Sequence, residues 1–175
     1  MRLAMLAWAA LLTTLASAAD PAFDPEARLR ELGITLPQPP TPVANYVTAV
    51  RSGNLVFLAG HGPCGTITDK QKGKVPRDRT LEEAYAAARD TGVCLIASLK
   101  KEIGDLRKVR RIVKVLGMVN ATETFTDHPK VVNGCSDLLV AVFGERGKHA
   151  RSAVGMASLP VNLAVEIEMI VEIEP

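Results

Sequence analysis

The stretch that decides the fold is 149–173, HARSAVGMASLPVNLAVEIEMIVEI. A Leu-Pro-Val-Asn-Leu segment separates two β-prone runs, which predicts two strands folded back on each other as a hairpin. The second run alternates with the period of two that a strand requires, so that one face is apolar and the other is acidic. The apolar set is Val165, Ile167, Met169, Val171 and Ile173, and the acidic set is Glu166, Glu168 and Glu172.

The first run contains an arginine, Arg151, within the otherwise small and apolar segment 150–159. In a hairpin with residues 160–163 as its loop, Arg151 and Glu166 lie on the same face, about 20 Å apart. That separation is too large for both side chains to contact one small substrate. Either the register or the loop differs from this hairpin, or the site is assembled from two chains.

The N-terminus has the pattern of a secretory signal peptide over residues 1–18. Arg2 is followed by an apolar run and then by small residues that end in Ala16-Ser17-Ala18. The run is too short for a permanent membrane span, so we expect an exported protein, periplasmic or secreted, with no membrane anchor after cleavage. Residues 19–42 form a Pro-rich arm with one short helix, and residues 43–175 form a single domain.

The rest of the chain predicts an α+β fold. A capping box and a terminal glycine delimit the first long helix, and a proline in the first turn marks the second. The order β-β-α-β-α-β-β suits a mostly antiparallel sheet with two helices packed on one face. The elements preceding the last two strands are strands 46–51 and 55–59, a helix between Thr80 and Gly104, a strand over 109–119, and a helix from Asp127 or His128 to Gly144.

Charge and cysteine content restrict the function classes. The formal net charge is +2, and it falls to about +1 when Arg2 is removed with the signal peptide. So small a net charge gives no overall electrostatic attraction for polyanions. The basic run 100–114 lacks interleaved aromatic residues and is typical of a helix end and a strand edge, so a nucleic-acid partner is not expected. The cysteines Cys64, Cys94 and Cys135 share no metal-ligand spacing, and the sequence does not indicate which two would pair. We predict no metal.

The motifs Ala150-Arg151-Ser152, Leu159-Pro160 and Val165-Glu166-Ile167-Glu168, in this order of elements, resemble the Rid family, also called the YjgF type. The resemblance spans about residues 43–173. It implies a chorismate-mutase-like fold and a homotrimer with sites in the clefts between subunits. The deaminase branch hydrolyses reactive 2-imino acids and their enamine tautomers without a cofactor, whereas other members were named endoribonucleases or translation inhibitors.

The resemblance also implies roles for individual residues. Arg151 matches the arginine that holds the substrate carboxylate, and Glu166 matches the acid that positions the attacking water. Tyr46 and Asn133 match further substrate-binding positions. Backbone N–H groups near Gly60 and Ala153 are expected to bind the carboxylate or the water. Ala153 stands where the deaminase branch often has a cysteine.

His61 stands where that branch commonly has glutamine. It could serve as a general base, although a lone loop histidine is more often a surface residue. Three hypotheses follow: an enamine/imine deaminase, a non-catalytic binder of small carboxylates that uses the same cleft, and an RNA-directed protein that uses the basic run.

Overall fold

The computed structural model describes residues 23–42 and 44–175, so the predicted signal peptide and the first residues of the arm lie outside the described part of the chain. The predicted α+β class and order of elements are confirmed, with a short helix in the arm preceding them. The helices are α1 (Pro25–Glu31), α2 (Leu81–Ile103) and α3 (His128–Phe143). The strands are β1 (Ala49–Ser52), β2 (Leu55–His61), β3 (Val109–Asn120), β4 (Ala150–Met156) and β5 (Val165–Ile173).

The long helices begin and end where local signals predict. The Thr80 side chain accepts a hydrogen bond from the backbone N–H of Glu83, and the Glu83 carboxylate accepts one from the backbone N–H of Thr80. Gly104, with φ 79°, ends α2 in a left-handed conformation that a side chain would disfavour. Pro129 lies in the first turn of α3, where its missing N–H costs no helical hydrogen bond.

The sheet has the order β1-β2-β5-β3-β4, and this order contradicts the predicted C-terminal hairpin. β5 pairs antiparallel with β2 and β3, whereas β4 pairs with the other side of β3 and runs parallel to it. The prediction was wrong because β3, α3 and β4 form a crossover unit. A parallel pair needs such a connection, which takes β4 away from its sequence neighbour.

This topology also changes the predicted relation between Arg151 and Glu166. Arg151 is paired with Val115, whose side chain is buried beneath the helices, whereas Glu166 is paired with Met118 on the opposite face. The expectation of a shared face was therefore wrong. Three residues along β3 and two strand spacings separate the Cα atoms by about 14 Å, and the side chains point to opposite sides.

One hydrophobic core lies between the sheet and the two long helices, and it includes Leu29 of α1. The arm beyond α1 packs on its edge through Ile34 and Leu36. The opposite sheet face is not covered by the helices and exposes several large apolar side chains. These are Val50 (54%), Phe57 (41%), Val154 (40%) and Met156 (36%). No helix within the described ranges is long and apolar enough to cross a bilayer.

Candidate functional site

Three of the predicted site residues line one cavity of about 320 Å³, which we call the acid pocket. Glu166 of β5 provides its carboxylate, β2 provides Gly60, and Tyr46 enters from the segment before β1. Tyr46 is half exposed and precedes the strand, so the predicted first strand began too early. The arm contributes a further wall of the acid pocket through Pro40 and Thr41.

Gly60 allows the Glu166 carboxylate to lie directly against the backbone. The register between β2 and β5 shifts between Leu58 and His61, which places an extra residue on β2 as a bulge. A Cβ atom built on Gly60 would overlap Oε1 of Glu166. A side chain at position 60 would therefore displace the Glu166 carboxylate from this position.

Glu166 is an acid whose ionised form is disfavoured. Burial of the side chain, and secondly the negative charge of Glu168, raise its pKa above the ordinary value of 4.5. A carboxyl group with a raised pKa is better suited to exchange a proton near neutral pH. The acid pocket thus combines a tuned acid with a cavity large enough for a small organic molecule.

His61 is buried, so the expectation of a surface histidine was wrong. Its Nδ1 lies 2.7 Å from the Ala59 carbonyl and its Nε2 lies 2.7 Å from Oγ of Ser98. Because a carbonyl only accepts, Nδ1 carries the hydrogen and the neutral Nε2 accepts from the Ser98 hydroxyl. Burial lowers the pKa of His61, and both nitrogens are engaged, so the described geometry offers no free base at this position.

A disulfide joins Cys64, in the loop after β2, to Cys94 on α2. Both cysteines line the acid pocket, so the bond ties one wall of that cavity to the helix layer. Cys135 is free and fully buried. Burial raises its pKa to about 12, which leaves the thiol protonated and unreactive at neutral pH.

The other predicted residues meet at what we call the arginine corner, formed by Arg151 and His149 with Asn133 and Ser136 of α3. Nη1 of Arg151 donates to Oδ1 of Asn133 at 2.8 Å and to Oγ of Ser136 at 3.0 Å. Ala153 follows two residues along β4, on the same side. Within residues 23–42 and 44–175, no carboxylate forms a salt bridge with Arg151. Its charge therefore lacks a counter-ion in the described part of the chain.

The structure therefore divides the six predicted site residues into two groups of three. Tyr46, Gly60 and Glu166 share the acid pocket, whereas Arg151, Asn133 and Ala153 lie at the arginine corner. One chain does not bring the groups together.

The sequence interpretation missed Ser136 and His149. Ser136 could have been found, because it lies three residues after Asn133 and hence on the same side of α3. His149 reaches Ser136 only through tertiary packing.

The described residues contain no group of three or more His, Cys, Asp or Glu side chains placed to hold a metal ion. The charged groups at the acid pocket and the arginine corner are the carboxyl group of Glu166 and the guanidinium of Arg151. Such groups can bind an anion and move a proton.

Comparisons with known proteins agree with this architecture. Residues 26–173 match the family model described as "YjgF/chorismate_mutase-like, putative endoribonuclease". Protein TCP17 of Trypanosoma cruzi is 40% identical over 148 residues, which are 84% of this chain and 92% of TCP17. A 2-iminobutanoate/2-iminopropanoate deaminase of Dermatophagoides farinae is 32% identical over 141 residues, 81% of this chain and 95% of the deaminase.

A solved structure shows the same fold. The crystal structure of Atu1372, a protein of unknown function from Agrobacterium tumefaciens, has a TM-score of 0.79 and 44% sequence identity, and covers 86% of this chain and 92% of Atu1372. Since the family model spans most of the chain, from α1 to the end of β5, the protein belongs to the YjgF/Rid family of chorismate-mutase-like proteins.

Proposed function

We propose that this protein hydrolyses reactive 2-imino acids, and their enamine tautomers, to 2-oxo acids and ammonia. The observation that carries the proposal is the position of Glu166, a half-buried acid that shares a cavity with Tyr46 and the backbone at Gly60. The 32% identity to a Dermatophagoides farinae protein named as such a deaminase supports the same reaction.

Arg151 is suited to hold the carboxylate of the substrate. Both of its hydrogen bonds to described residues leave from Nη1, and neither partner is charged. Nε and Nη2 therefore remain for two parallel hydrogen bonds to a carboxylate, the geometry that makes a guanidinium a good receptor. In this proposal the missing negative charge at Arg151 is supplied by the substrate.

Glu166 then acts on the imine carbon. Its carboxylate accepts a proton from water as the water oxygen forms a bond to the carbon of the C=N group. The same carboxyl group returns the proton to the nitrogen. Glu166 then accepts the hydroxyl proton of the resulting carbinolamine and delivers it to the amino nitrogen, the C–N bond breaks, ammonia leaves, and the carbonyl of the 2-oxo acid forms. No oxidation or reduction takes place, so no redox partner is required.

We propose that the complete site forms between two chains of a homotrimer. Arg151 and Glu166 point to opposite faces of the sheet of one chain, so one small substrate contacts both only if a neighbour supplies one of them. β4 is an edge strand, which leaves Arg151 beside a free sheet edge. The apolar side chains on the uncovered sheet face are of the kind that a second copy of the chain would bury.

The test is an assay of enamine hydrolysis, with the substrate generated in situ, in the wild type and in Arg151→Ala. We expect acceleration by the wild type and none by the variant, which retains Glu166. If the wild type does not accelerate the hydrolysis but calorimetry detects binding of a 2-oxo acid, the protein is the non-catalytic carboxylate binder. If neither is observed, the carboxylate role of Arg151 is refuted.

An RNA-directed activity is the alternative suggested by the family description, and the contacts of the basic run argue against it. Arg107 pairs with Asp105 at 2.7 Å, and Arg110 pairs with Glu172 at 3.4 Å. Lys108 donates to the Ile103 carbonyl. These charges are partly neutralised within the chain. Salt-dependent binding of single-stranded RNA, lost when Arg110 and Arg111 are both replaced by Gln, would revive this alternative.

We further propose that the protein is exported after cleavage near Ala18. The disulfide between Cys64 and Cys94 supports this, because disulfides persist mainly in oxidising compartments. N-terminal sequencing of the native protein is expected to begin near Ala19, and a chain that retains Met1 would contradict export.

A further inference from the structure

The arginine corner contains a continuous chain of hydrogen bonds that ends at a histidine. Nη1 of Arg151 lies 3.0 Å from Oγ of Ser136, which lies 3.0 Å from Nε2 of His149. Nδ1 of His149 lies 2.7 Å from the carbonyl oxygen of Gly147. The chain joins β4, α3 and the turn between them, so it depends on packing and not on a sequence motif.

The donors and acceptors of this chain have a single consistent direction when His149 is neutral. The Gly147 carbonyl only accepts, so Nδ1 carries the hydrogen and Nε2 has a free lone pair. The Ser136 hydroxyl donates to Nε2 and accepts from the guanidinium. The guanidinium thus donates to the hydroxyl, the hydroxyl donates to the imidazole, and the imidazole donates to the carbonyl oxygen. Burial lowers the pKa of His149, the hydrogen bond to the Gly147 carbonyl partly offsets this, and the charge of Arg151 lowers the pKa by a smaller amount; the net lowering favours this neutral state.

We propose that Ser136 and His149 are positioning residues that orient the Arg151 guanidinium, and that His149 takes up a proton when an anion binds to Arg151. The proposal rests on the proposed function, because the anion is the carboxylate of the substrate or product. In the free protein, the positive charge of Arg151 opposes a second charge on His149. A bound carboxylate cancels that opposition, and protonated Nε2 then donates to Ser136, whose oxygen still accepts from Arg151.

Other charged groups near His149 are engaged elsewhere. In the turn 144–147 and just after it, Arg146 donates to the Val109 carbonyl, and Lys148 pairs with Glu145. On α3, Asp137 accepts from the hydroxyl of Tyr85. On β3, the ammonium of Lys114 donates to Ser152 on the uncovered face of the sheet. Among the described residues, Arg151 is the charged group that is connected to His149 by shared hydrogen bonds.

The chain also contains a matched internal control. His61 has the same arrangement, with Nδ1 on the carbonyl two residues earlier and Nε2 on a serine hydroxyl. Its serine, Ser98, lies on α2 and makes no hydrogen bond to a charged side chain among the described residues. A proton linked to Arg151 should therefore be seen at His149 and not at His61.

The first experiment needs no ligand. The three histidines are titrated by NMR in the wild type, Arg151→Gln and Arg151→Lys, with His149→Gln used to assign the resonance. We expect the pKa of His149 to rise in Arg151→Gln, to stay low in Arg151→Lys, and the pKa of His61 to be unchanged in both. An unchanged His149 pKa in a folded Arg151→Gln protein overturns the proposal.

The second experiment measures calorimetrically the affinity for 2-oxobutanoate, which stays ionised throughout the titration range. Because the complex binds the extra proton, affinity is expected to rise as pH falls through the pKa of His149, by at most about tenfold per pH unit for one linked proton. This slope should be absent in His149→Gln. Ser136→Ala should weaken binding several-fold, and Ser136→Thr should restore it.

The outcomes separate the two proposals. Equal slopes in the wild type and His149→Gln, with binding abolished in Arg151→Gln, overturn the role of His149 and leave the carboxylate site intact. Absence of both enamine hydrolysis and 2-oxobutanoate binding in the wild type refutes the proposed function, and the ligand-free titration then decides whether Arg151 and His149 are coupled. Binding without turnover, with a pH slope that His149→Gln abolishes, supports the role of His149 and refutes only the catalytic step.

Discussion

The acid pocket and the arginine corner differ in what surrounds their charged groups. At the acid pocket, Glu166 is pressed against Gly60 inside a cavity, and the loss of water makes its negative charge costly. At the arginine corner, Arg151 is held by two neutral oxygens, and no described carboxylate satisfies its positive charge. Desolvation raises the pKa of Glu166, whereas Arg151 is left without a described carboxylate partner and can bind an external anion.

This difference fits the separate tasks that we propose for them. A base must give its proton back, so its pKa has to lie closer to the working pH than that of a free glutamate. A carboxylate receptor must keep its charge while its geometry stays fixed, and this suits a guanidinium held by an amide and a hydroxyl.

The largest expected effect tests the acid pocket alone. Glu166→Gln removes the proton carrier and keeps the shape, so enamine hydrolysis should fall by about 10²–10⁴-fold. The matched control is Glu168→Gln, which removes the neighbouring charge from the same face of β5 and should retain most of the activity. Equal losses in both variants, measured as initial rates, would show that Glu166 has no special role.

The next prediction joins the two regions. Arg151→Ala and Glu166→Gln should each be inactive, but chains of both kinds, unfolded and refolded together, should recover activity. If the site needs Arg151 from one chain and Glu166 from its neighbour, an equimolar mixture restores about a quarter of the wild-type sites. A mixture that stays inactive, although mass spectrometry shows mixed oligomers, would place both residues of one site on one chain.

The sequence predicts the elements better than their partners. The capping box at Thr80, the terminal glycines and the alternation in β5 are local features, so they set α2, α3 and the core face of β5 correctly. The strand with which β4 pairs is instead determined by tertiary packing. The Pro160 turn favoured a local hairpin, but the strand-helix-strand order around α3 permits a parallel crossover, and that arrangement covers β4 with α3.

The wrong pairing of β4 also limited the prediction of the site. Identifying Arg151 and Glu166 required only their motif, but their relative placement required the strand order. The acid pocket depends on a bulge at Gly60 and on the arm, and the link from Arg151 to His149 crosses two elements. Such contacts between distant segments carry no local periodicity from which they could be inferred.

A smaller effect distinguishes how the two regions are supported. The Cys64–Cys94 bond closes a loop with a sequence separation of 30 and lies beside the acid pocket, whereas the arginine corner has no such link. Replacing both cysteines by Ala should lower stability by about 3–4 kcal/mol. Amide exchange should increase in residues 60–65 and stay unchanged in residues 133–136.

The control for this prediction is to reduce the disulfide in the wild type and to treat the cysteine variant in the same way. Dithiothreitol should lower the Tm of the wild type and leave that of the Cys64→Ala/Cys94→Ala protein unchanged. A wild-type Tm that does not respond to reduction, with free thiols confirmed by labelling, would show that the bond does not stabilise the acid pocket.

The smallest predicted effect is the pH dependence of stability at Glu166. Its pKa is raised in the folded state, so ionisation destabilises the fold, a cost that is absent below the unfolded value of 4.5 and complete above the folded pKa. Glu166→Gln should therefore raise the Tm at neutral pH and not at about pH 4. The gain should be at most about 2 °C, because the side chain is still partly solvated.

Glu168→Gln serves as the graded control for this effect. It removes the like charge and keeps the desolvation, so its own gain should be smaller than that of Glu166→Gln and should follow the same pH dependence. At the arginine corner, Arg151→Gln should show no matching change in this acidic range, since no described carboxylate is paired with the guanidinium. A gain for Glu166→Gln that persists unchanged at about pH 4 would mean that packing against Gly60, and not desolvation of the charge, sets the cost of the acid.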